Sequence, residues 1–284
     1  MSDVACSLSA LAVYPIKSCA GLLLPEALLV ETGLEFDRAW MVVDEHGEML
    51  TQREWPRMAL VQPQFKHSEL VLRAPGMLAL HLRLDTVEDA TRVRVWDDVV
   101  KAYDMGALAA QWFSDFLGCR ARLVRFDPEE KRLSAPEWTG EVQAENAFSD
   151  GFPLLVANQA SLEELNARLA AKGATPVTMQ RFRPNLVLAG LSPFDEDHIE
   201  TLEITTEQGA VRLRLVKPCV RCSIPNVDPI SAQTSHEPGD TLASFRADAR
   251  MKGGITFGVN AVIIEGHEHL LRTGQSVAAR WHFQ

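Results

Sequence analysis

The sequence has few cysteines and no run of apolar residues long enough to cross a membrane. Five cysteines in 284 residues are an odd and small number, which excludes a dense disulfide framework and favours a reducing compartment. No apolar run approaches the roughly 20 residues of a membrane helix. The first residues also lack the basic and apolar regions of a secretory signal. We therefore predict a cytoplasmic protein without a membrane span.

Positive charge is in deficit, since the formal net charge is -10 at pH 7. This balance argues against a nucleic-acid partner and against an anionic membrane surface, although a local basic pocket stays possible. Several common catalytic motifs are also missing: G-x-G-x-x-G after a strand, G-x-S-x-G and H-E-x-x-H. The eight histidines are scattered. These absences exclude the common nicotinamide dehydrogenases, serine hydrolases and zinc proteases.

The residues that are present predict a large core, because 46% of them are hydrophobic. Their periodicity predicts a mainly β (α+β) chain. The spacing predicts a helix over 107–117 that ends at Gly118, and a capping box at Ser161 that opens a second helix ending near Gly173. Residues 126–146 have no clear period, and we interpret them as a connection between domains 1–125 and 126–284. The strands that follow do not alternate with helices, which favours a mixed or antiparallel barrel over a doubly wound sheet. Strands are predicted at residues 8–13, 28–30, 40–43, 48–50, 78–84, 92–96, 154–157, 186–188, 202–204, 211–216, 261–264 and 276–280.

Two of the five cysteines follow a predicted strand, in the segment Lys217-Pro218-Cys219-Val220-Arg221-Cys222. The neighbouring cations favour a thiolate, which is both a nucleophile and a soft metal ligand. A structural zinc site needs a second pair of ligands, a thioredoxin-like pair needs a following helix, and an iron–sulfur cluster needs four ligands. The sequence offers none of these at a suitable spacing. It leaves open a functional thiol or two ordinary buried cysteines.

Three further segments place cations beside polar residues. Lys17 and Ser18 lie in a loop bounded by Pro and Gly, where they could hold an anion or form a solvated surface. Arg38 opens a predicted strand, a position typical of surface ion pairs. Pro184 forces an extended backbone on Arg183, and the guanidinium beside the amide of Asn185 suits phosphate recognition. Pairing of this arginine with the acidic residues 195–197 is the alternative.

Six segments in this order resemble the signatures of the MOSC family of molybdenum-cofactor proteins. They are similar to those of the mitochondrial amidoxime-reducing components and their bacterial relatives, and the resemblance covers nearly the whole chain. The segments are Tyr14–Gly21, Asp37–Trp40, Leu50–Arg53, Arg181–Asn185, Cys219–Pro229 and Phe257-Gly258. The resemblance implies an N-terminal MOSC-associated β-rich domain, a C-terminal MOSC β-barrel, and a molybdenum–molybdopterin cofactor between them.

The resemblance also implies the residues of the site. Cys222 would bind molybdenum and take part in catalysis, whereas Cys219 would be a neighbour that is not a ligand. Thiolate is a soft ligand suited to this metal, and Arg221 and Lys217 would keep Cys222 in that form. The residues at cofactor-binding positions are Lys17, Ser18, Arg38, Asp150, Gly151, Phe152, Arg183, Asn185, Arg221 and Asn260, the last of which stands where the mitochondrial relatives have Tyr.

A reductase of N-hydroxylated or other small N-oxygenated compounds is the function that the resemblance implies. Because no cysteine follows Cys222, we expect no iron–sulfur domain like that of some bacterial relatives, and we expect electrons from a separate ferredoxin-like or flavin protein. The alternative is a carrier of the cofactor or a sulfur-accepting module without turnover, since MOSC domains also occur in cofactor sulfurases. We expect no pyridoxal-phosphate domain, so in this alternative the chain would be only the accepting module.

Overall fold

The chain folds mainly into β-strands, as its periodicity predicts. The structure is a computed structural model that describes residues 3–86 and 89–282. The strands of these residues are β1 (Val4–Val13), β2 (Leu22–Leu24), β3 (Glu26–Val30), β4 (Gly33–Leu34), β5 (Trp40–Val43), β6 (Gln62–Lys66), β7 (Glu69–Arg73), β8 (Leu80–Arg83), β9 (Ala90–Val95), β10 (Asp98–Asp104), β11 (Arg122–Phe126), β12 (Leu154–Asn158), β13 (Leu186–Ala189), β14 (Ile199–Thr206), β15 (Gly209–Val220), β16 (Ala247–Asp248), β17 (Gly254–Glu265), β18 (Leu270–Arg272) and β19 (Ser276–Trp281).

Helices are few and mostly short. The α-helices of the described residues are α1 (Ala107–Leu117), α2 (Pro136–Thr139), α3 (Gln159–Ala171) and α4 (Gly239–Ala243). Single turns of 3₁₀-helix lie at Pro56–Leu60, Met179–Arg181, Asp195–His198, Ile224–Asn226 and Ala249–Met251.

Seven strands close into a barrel in the order β12-β13-β1-β19-β14-β15-β17, and β17 pairs back with β12. β12 and β13 run parallel, whereas the other neighbours are antiparallel. The inner face is apolar and includes the fully buried Leu8, Leu186, Leu202, Leu213 and Ala261. Burying each such leucine contributes about 1.5–3 kcal/mol. The predicted barrel is confirmed, and its closure leaves no exposed edge among these strands.

The first strand of the chain lies in this barrel, between β13 and β19. β3 in turn pairs with β18 from the other end of the chain. Beyond β4, the N-terminal half forms two sheets of its own, β5-β11-β10-β9 and β6-β7-β8. The two halves therefore share strands, and the division at residue 125 stays a prediction. Its outer limits, residues 1 and 284, lie outside the described residues.

Helix α1 has the bounds that the sequence predicts. Gly118 follows it with a φ of 75°, a left-handed conformation that ends a helix at low cost in glycine. The buried side of the helix presents Trp112, Phe113 and Phe116 to a second apolar core, which also contains Trp40. This core anchors β5 and, with it, the loop that carries Arg38.

Helix α3 begins earlier than predicted, so the capping box at Ser161 was wrong. The helix starts at Gln159, and the side chain of Asn158 accepts a hydrogen bond of 3.2 Å from the amide of Ala160. Ser161 is fully buried, and its hydroxyl donates to Glu196 Oε2 at 2.8 Å. A tertiary contact therefore uses the hydroxyl that the local pattern assigned to a cap. Gly173 lies just beyond the helix end with a φ of 75°, as predicted.

The predicted strand at residues 48–50 was also wrong. Glu48 and Met49 make only isolated bridges, to Arg94 and Val43. Eight observed strands were missed: β2, β4, β6, β7, β10, β11, β16 and β18. Four of them have three residues or fewer, which is too short for a period of two to be recognised. Pro63 obscures β6, and adjacent apolar residues interrupt the alternation in the other three.

Candidate functional site

The residues predicted from sequence meet in one cleft between the barrel and the loops of the N-terminal half. They come from the loops after β1 and before β5, β12 and β13, from the segment at the end of β15, and from β17. Thr51 and Arg53 complete the lining from the N-terminal half. The predicted residues that line the cleft are Lys17, Ser18, Arg38, Asp150, Gly151, Phe152, Arg183, Asn185, Arg221, Cys222 and Asn260. Their roles stay predictions, but the structure brings all of them together.

Arg38 and Arg183 are held in a left-handed backbone conformation, with φ of 50° and 59°. The extended backbone predicted for Arg183 from the following proline was therefore wrong, because tertiary contacts of this loop outweigh the local preference. Such a conformation costs a non-glycine residue on the order of 1–3 kcal/mol and is found often at functional sites. Arg38 donates to Asp37 Oδ2 at 2.5 Å and to the carbonyl of Arg183 at 3.0 Å. Arg183 donates from Nη1 to the carbonyl of Cys19 at 2.6 Å. The strained backbone thus places the two guanidinium groups side by side at the cleft.

Arg183 does not pair with the acidic residues 195–197. Asp197 Oδ2 lies 2.5 Å from Arg246 Nη2 instead. Burial, and then the positive charge of Arg38, lower the pKa of Arg183 to about 10. The group is still a cation at neutral pH, but a desolvated one, so a negative ligand would stabilise it.

Lys17 is buried, with 7% of its side chain exposed, whereas 71% of the Asp150 side chain is exposed. Lys17 Nζ donates to Asp150 Oδ1 at 2.5 Å and to the carbonyl of Phe148 at 2.8 Å. Burial lowers the pKa of Lys17, and the nearby carboxylate acts against this change. Partial burial acts to raise the pKa of Asp150, but Lys17 and the indole N–H of Trp96 hold it well below its usual range. A solvated loop lysine is therefore excluded.

The two cysteines at the end of β15 differ in exposure. Cys222 is exposed and Cys219 is half-buried, and all five cysteines of the chain are free. Arg221 Nη1 lies 3.0 Å from Cys219 Sγ, so this guanidinium contacts the cysteine that was predicted to be a bystander. Lys217 Nζ lies 5.0 Å from the ring centre of Trp138. The cations predicted to act on Cys222 therefore make other contacts in the structure.

Two asparagines line the cleft but use their side-chain amides within the fold. Asn185 Oδ1 accepts from Arg38 Nη1 at 3.2 Å and from the amide of Leu155 at 3.1 Å, while Nδ2 donates to the carbonyl of Ala12 at 3.2 Å. Asn260 Nδ2 donates to the carbonyl of Lys217 at 3.1 Å. Asn185 thereby fixes the guanidinium of Arg38, and Asn260 ties β17 to β15.

The loop that carries Asp150, Gly151 and Phe152 is fixed by Arg132, which the sequence did not indicate. Arg132 is buried, and its Nη1 donates to the carbonyls of Ala147 at 3.2 Å and Ser149 at 2.7 Å. Its Nη2 donates to the carbonyl of Asp150 at 3.2 Å. This arginine lies in the segment interpreted as a connection, where no periodicity or motif could single it out.

Phe257 and Gly258 support the site from within the barrel wall. The ring of Phe257 stacks on that of Phe182 with 3.9 Å between centroids, and the carbonyl of Phe182 accepts from Arg221 Nη2 at 2.9 Å. Gly258 has a φ of 76°, and a Cβ at this position would lie 2.8 Å from the carbonyl oxygen of Val156. The structure thus explains why the Phe-Gly segment requires glycine: the neighbouring strand backbone leaves no room for a side chain.

Two buried N–H groups of the cleft lack a hydrogen-bond partner among the described residues: Arg183 Nη2 and Arg221 Nε. An unsatisfied buried donor costs about 1–3 kcal/mol, so an anion that accepts from either group would recover part of this cost. With the buried ammonium of Lys17 nearby, these donors fit the phosphate of a phosphorylated pterin. The residues present therefore fit the predicted cofactor.

Within residues 3–86 and 89–282, no three His, Cys, Asp or Glu side chains lie close enough together to bind a metal ion by themselves. In the same residues, no helix has the length and apolar character needed to cross a bilayer.

Comparison with known proteins identifies the family. Residues 5–120 match the MOSC N-terminal beta barrel domain, and residues 143–278 match the MOSC domain. The chain is 37% identical over 246 residues to mitochondrial amidoxime reducing component 2 of Rattus norvegicus, covering 82% of this chain and 70% of the relative. It is 34% identical over 245 residues to mitochondrial amidoxime-reducing component 1 of Homo sapiens, with coverage of 82% and 70%. It is 30% identical over 301 residues to molybdenum cofactor sulfurase of Oryza sativa subsp. japonica, covering 99% of this chain and 35% of that relative. The chain therefore belongs to the MOSC family, with a MOSC N-terminal domain followed by a MOSC domain.

Proposed function

We propose that the protein is a molybdenum-cofactor-dependent reductase of small N-oxygenated compounds. The observation that carries this proposal is the shared cleft, which is lined by the exposed Cys222 together with Arg183 and Arg221, each of which has a buried N–H group without a partner among the described residues. A thiol and an anion site in one cleft match a metal held by a phosphorylated pterin. The similarity to amidoxime-reducing components supports the choice of reaction.

The chain's own residues would bind and orient the cofactor. Lys17, Arg183 and Arg221 would hold its phosphate and pterin through charge-assisted hydrogen bonds, Asp150 would keep Lys17 oriented, and Cys222 would supply one thiolate to molybdenum. When bound, the cofactor supplies two-electron chemistry that accepts an oxygen atom. The protein provides binding, orientation and charge.

The reaction breaks one N–O bond. A substrate R–NH–OH takes up two electrons and two protons and yields R–NH₂ and water. The electrons would come from a separate ferredoxin-like or flavin protein. Asp150 is an ionised carboxylate at neutral pH. Asp228 is ionised too: partial burial acts to raise the pKa of Asp228, but hydrogen bonds from the turn amides and the charge of Arg181 lower it. Neither suits a proton donor, and we assign the protons to solvent at the exposed rim beside Cys222.

Metal analysis and turnover test this proposal. We expect about one molybdenum per purified chain, and reduction of an aryl amidoxime to the amidine when a reduced viologen dye supplies electrons. Cys222→Ser should lose the turnover, whereas Cys219→Ser, the matched control, should keep most of it. Full activity of the Cys222→Ser variant, or a wild-type protein without molybdenum and pterin, would refute the assignment.

A carrier of the cofactor or a sulfur-accepting module is the second candidate. It is favoured by the 30% identity to a molybdenum cofactor sulfurase over 99% of this chain. A carrier would release its cofactor readily to a cofactor-free enzyme and would show no turnover with the dye. A reductase would turn over and retain its cofactor. The cytoplasmic location is a further prediction, and cell fractionation would test it.

A further inference from the structure

Tyr14 lies against both arginines of the proposed anion site. Its ring centre is 4.4 Å from Arg38 Cζ and 4.2 Å from Arg183 Cζ. The side chain is buried, and this burial raises the pKa of Tyr14 to about 12, so the ring is neutral. One aromatic ring therefore contacts two largely buried cations that come from loops far apart in sequence.

An aromatic ring suits this position better than a second carboxylate would. Two neighbouring guanidinium groups repel each other, and burial deprives them of water. The negative face of a ring attracts both without cancelling their charge and without occupying their N–H groups. Nη2 of Arg183 thus stays without a hydrogen-bond partner among the described residues.

Gly21 fixes where this ring lies. A Cβ built at position 21 would lie 2.6 Å from Cδ1 of Tyr14, a distance that would force the ring to move. The φ of Gly21 is not in the left-handed region, so the backbone there would accept alanine, and only the contact with the ring opposes it. Tyr14 and Gly21 thereby form one structural unit at opposite ends of the same loop.

We propose that Tyr14, seated on Gly21, is a positioning residue that keeps the guanidinium groups of Arg38 and Arg183 in place for the phosphate of the cofactor. This inference rests on the proposed function, because it concerns the same cleft. It assigns to Tyr14 no contact with the reacting atoms. Its effect passes through the two arginines to the affinity for the cofactor.

Cofactor retention by the full-length chain tests the proposal. Tyr14→Phe keeps the ring, Tyr14→Leu removes it, and Gly21→Ala displaces it. Each purified variant is dialysed at low and at high salt, and the remaining molybdenum and pterin are measured over time. We expect Tyr14→Phe to match the wild type, and Tyr14→Leu and Gly21→Ala to release cofactor about tenfold faster or more. The difference should widen at high salt, because loosened guanidinium groups hold the phosphate through screened charge alone.

Phe113→Leu is the matched control, since Phe113 is a fully buried ring of α1 away from the cleft. It should lower the melting temperature as Tyr14→Leu does, yet keep the cofactor. Unchanged retention in both Tyr14→Leu and Gly21→Ala, or equal loss in Phe113→Leu, would overturn the role of Tyr14 while leaving the proposed function intact. A wild-type chain that contains neither molybdenum nor pterin would overturn the proposed function itself.

Discussion

Replacing Glu196 by glutamine should raise the free energy of unfolding at pH 8 and should change it far less at pH 5. Glu196 lies on the 3₁₀ turn at Asp195–His198 and has no exposed surface. Its Oε2 accepts from Ser161, whereas Oε1 is buried without a hydrogen-bond partner among the described residues. Burial, and then the negative charge of Asp197, raise the pKa of Glu196 to about 7, compared with 4.5 for an ordinary glutamate.

The size of the effect follows from this difference in pKa. Because the folded protein binds the proton more tightly than the unfolded chain, the free energy of unfolding falls as the pH rises from about 4.5 to about 7, and it stays lower above that. The full loss is about 3 kcal/mol, of which roughly 2.5 kcal/mol separates pH 5 from pH 8. Glutamine carries no charge to bury, so the variant avoids this loss and still accepts a hydrogen bond from Ser161.

Urea unfolding at several pH values, followed by tryptophan fluorescence, measures this difference. The stability gained by Glu196→Gln over the wild type should grow by about 2–3 kcal/mol between pH 5 and pH 8. Glu163→Gln is the control, because Glu163 is exposed on α3 and its carboxylate accepts from Gln159 in the preceding turn. It should leave the pH profile unchanged. A gap between Glu196→Gln and the wild type that stays constant from pH 5 to pH 8 would refute the reasoning.

Two other substitutions test the site and its support. Arg183→Gln should weaken cofactor retention about 10- to 100-fold, because it removes charge-assisted hydrogen bonds. The control is Arg57→Gln, which alters an exposed arginine whose Cζ lies 4.6 Å from the ring centre of Phe116 and which should leave cofactor retention unchanged. Equal loss of cofactor in both variants would contradict the assignment. Gly258→Ala should lower the free energy of unfolding by about 1–3 kcal/mol more than Gly253→Ala. Both glycines have a positive φ, but only the Cβ at 258 would meet another strand. If calorimetry gave the same loss of unfolding free energy for both variants, the structure would have to shift and relieve the contact at 258, contrary to this prediction.

Local features of the fold follow from the sequence because they depend on neighbours along the chain. The bounds of α1 depend on the apolar spacing of its own residues and on Gly118. The barrel strands β13 and β19 are recognisable because one face of each is buried, which imposes alternation. The capping box at Ser161 failed for the converse reason: its hydroxyl serves Glu196, 35 residues away, and no local pattern contains that contact.

The sequence by itself determined which residue types could hold an anionic cofactor and a soft metal, since the chemistry of Lys17, Arg183, Arg221 and Cys222 does not depend on the fold. Only the tertiary structure decided how they are arranged. It joins Lys17 to Asp150 across 133 residues, it directs Arg221 to Cys219, and it sets Tyr14 against two arginines. Such contacts depend on strand pairing across the barrel and on loops in left-handed backbone conformations, and these form only when distant segments pack together.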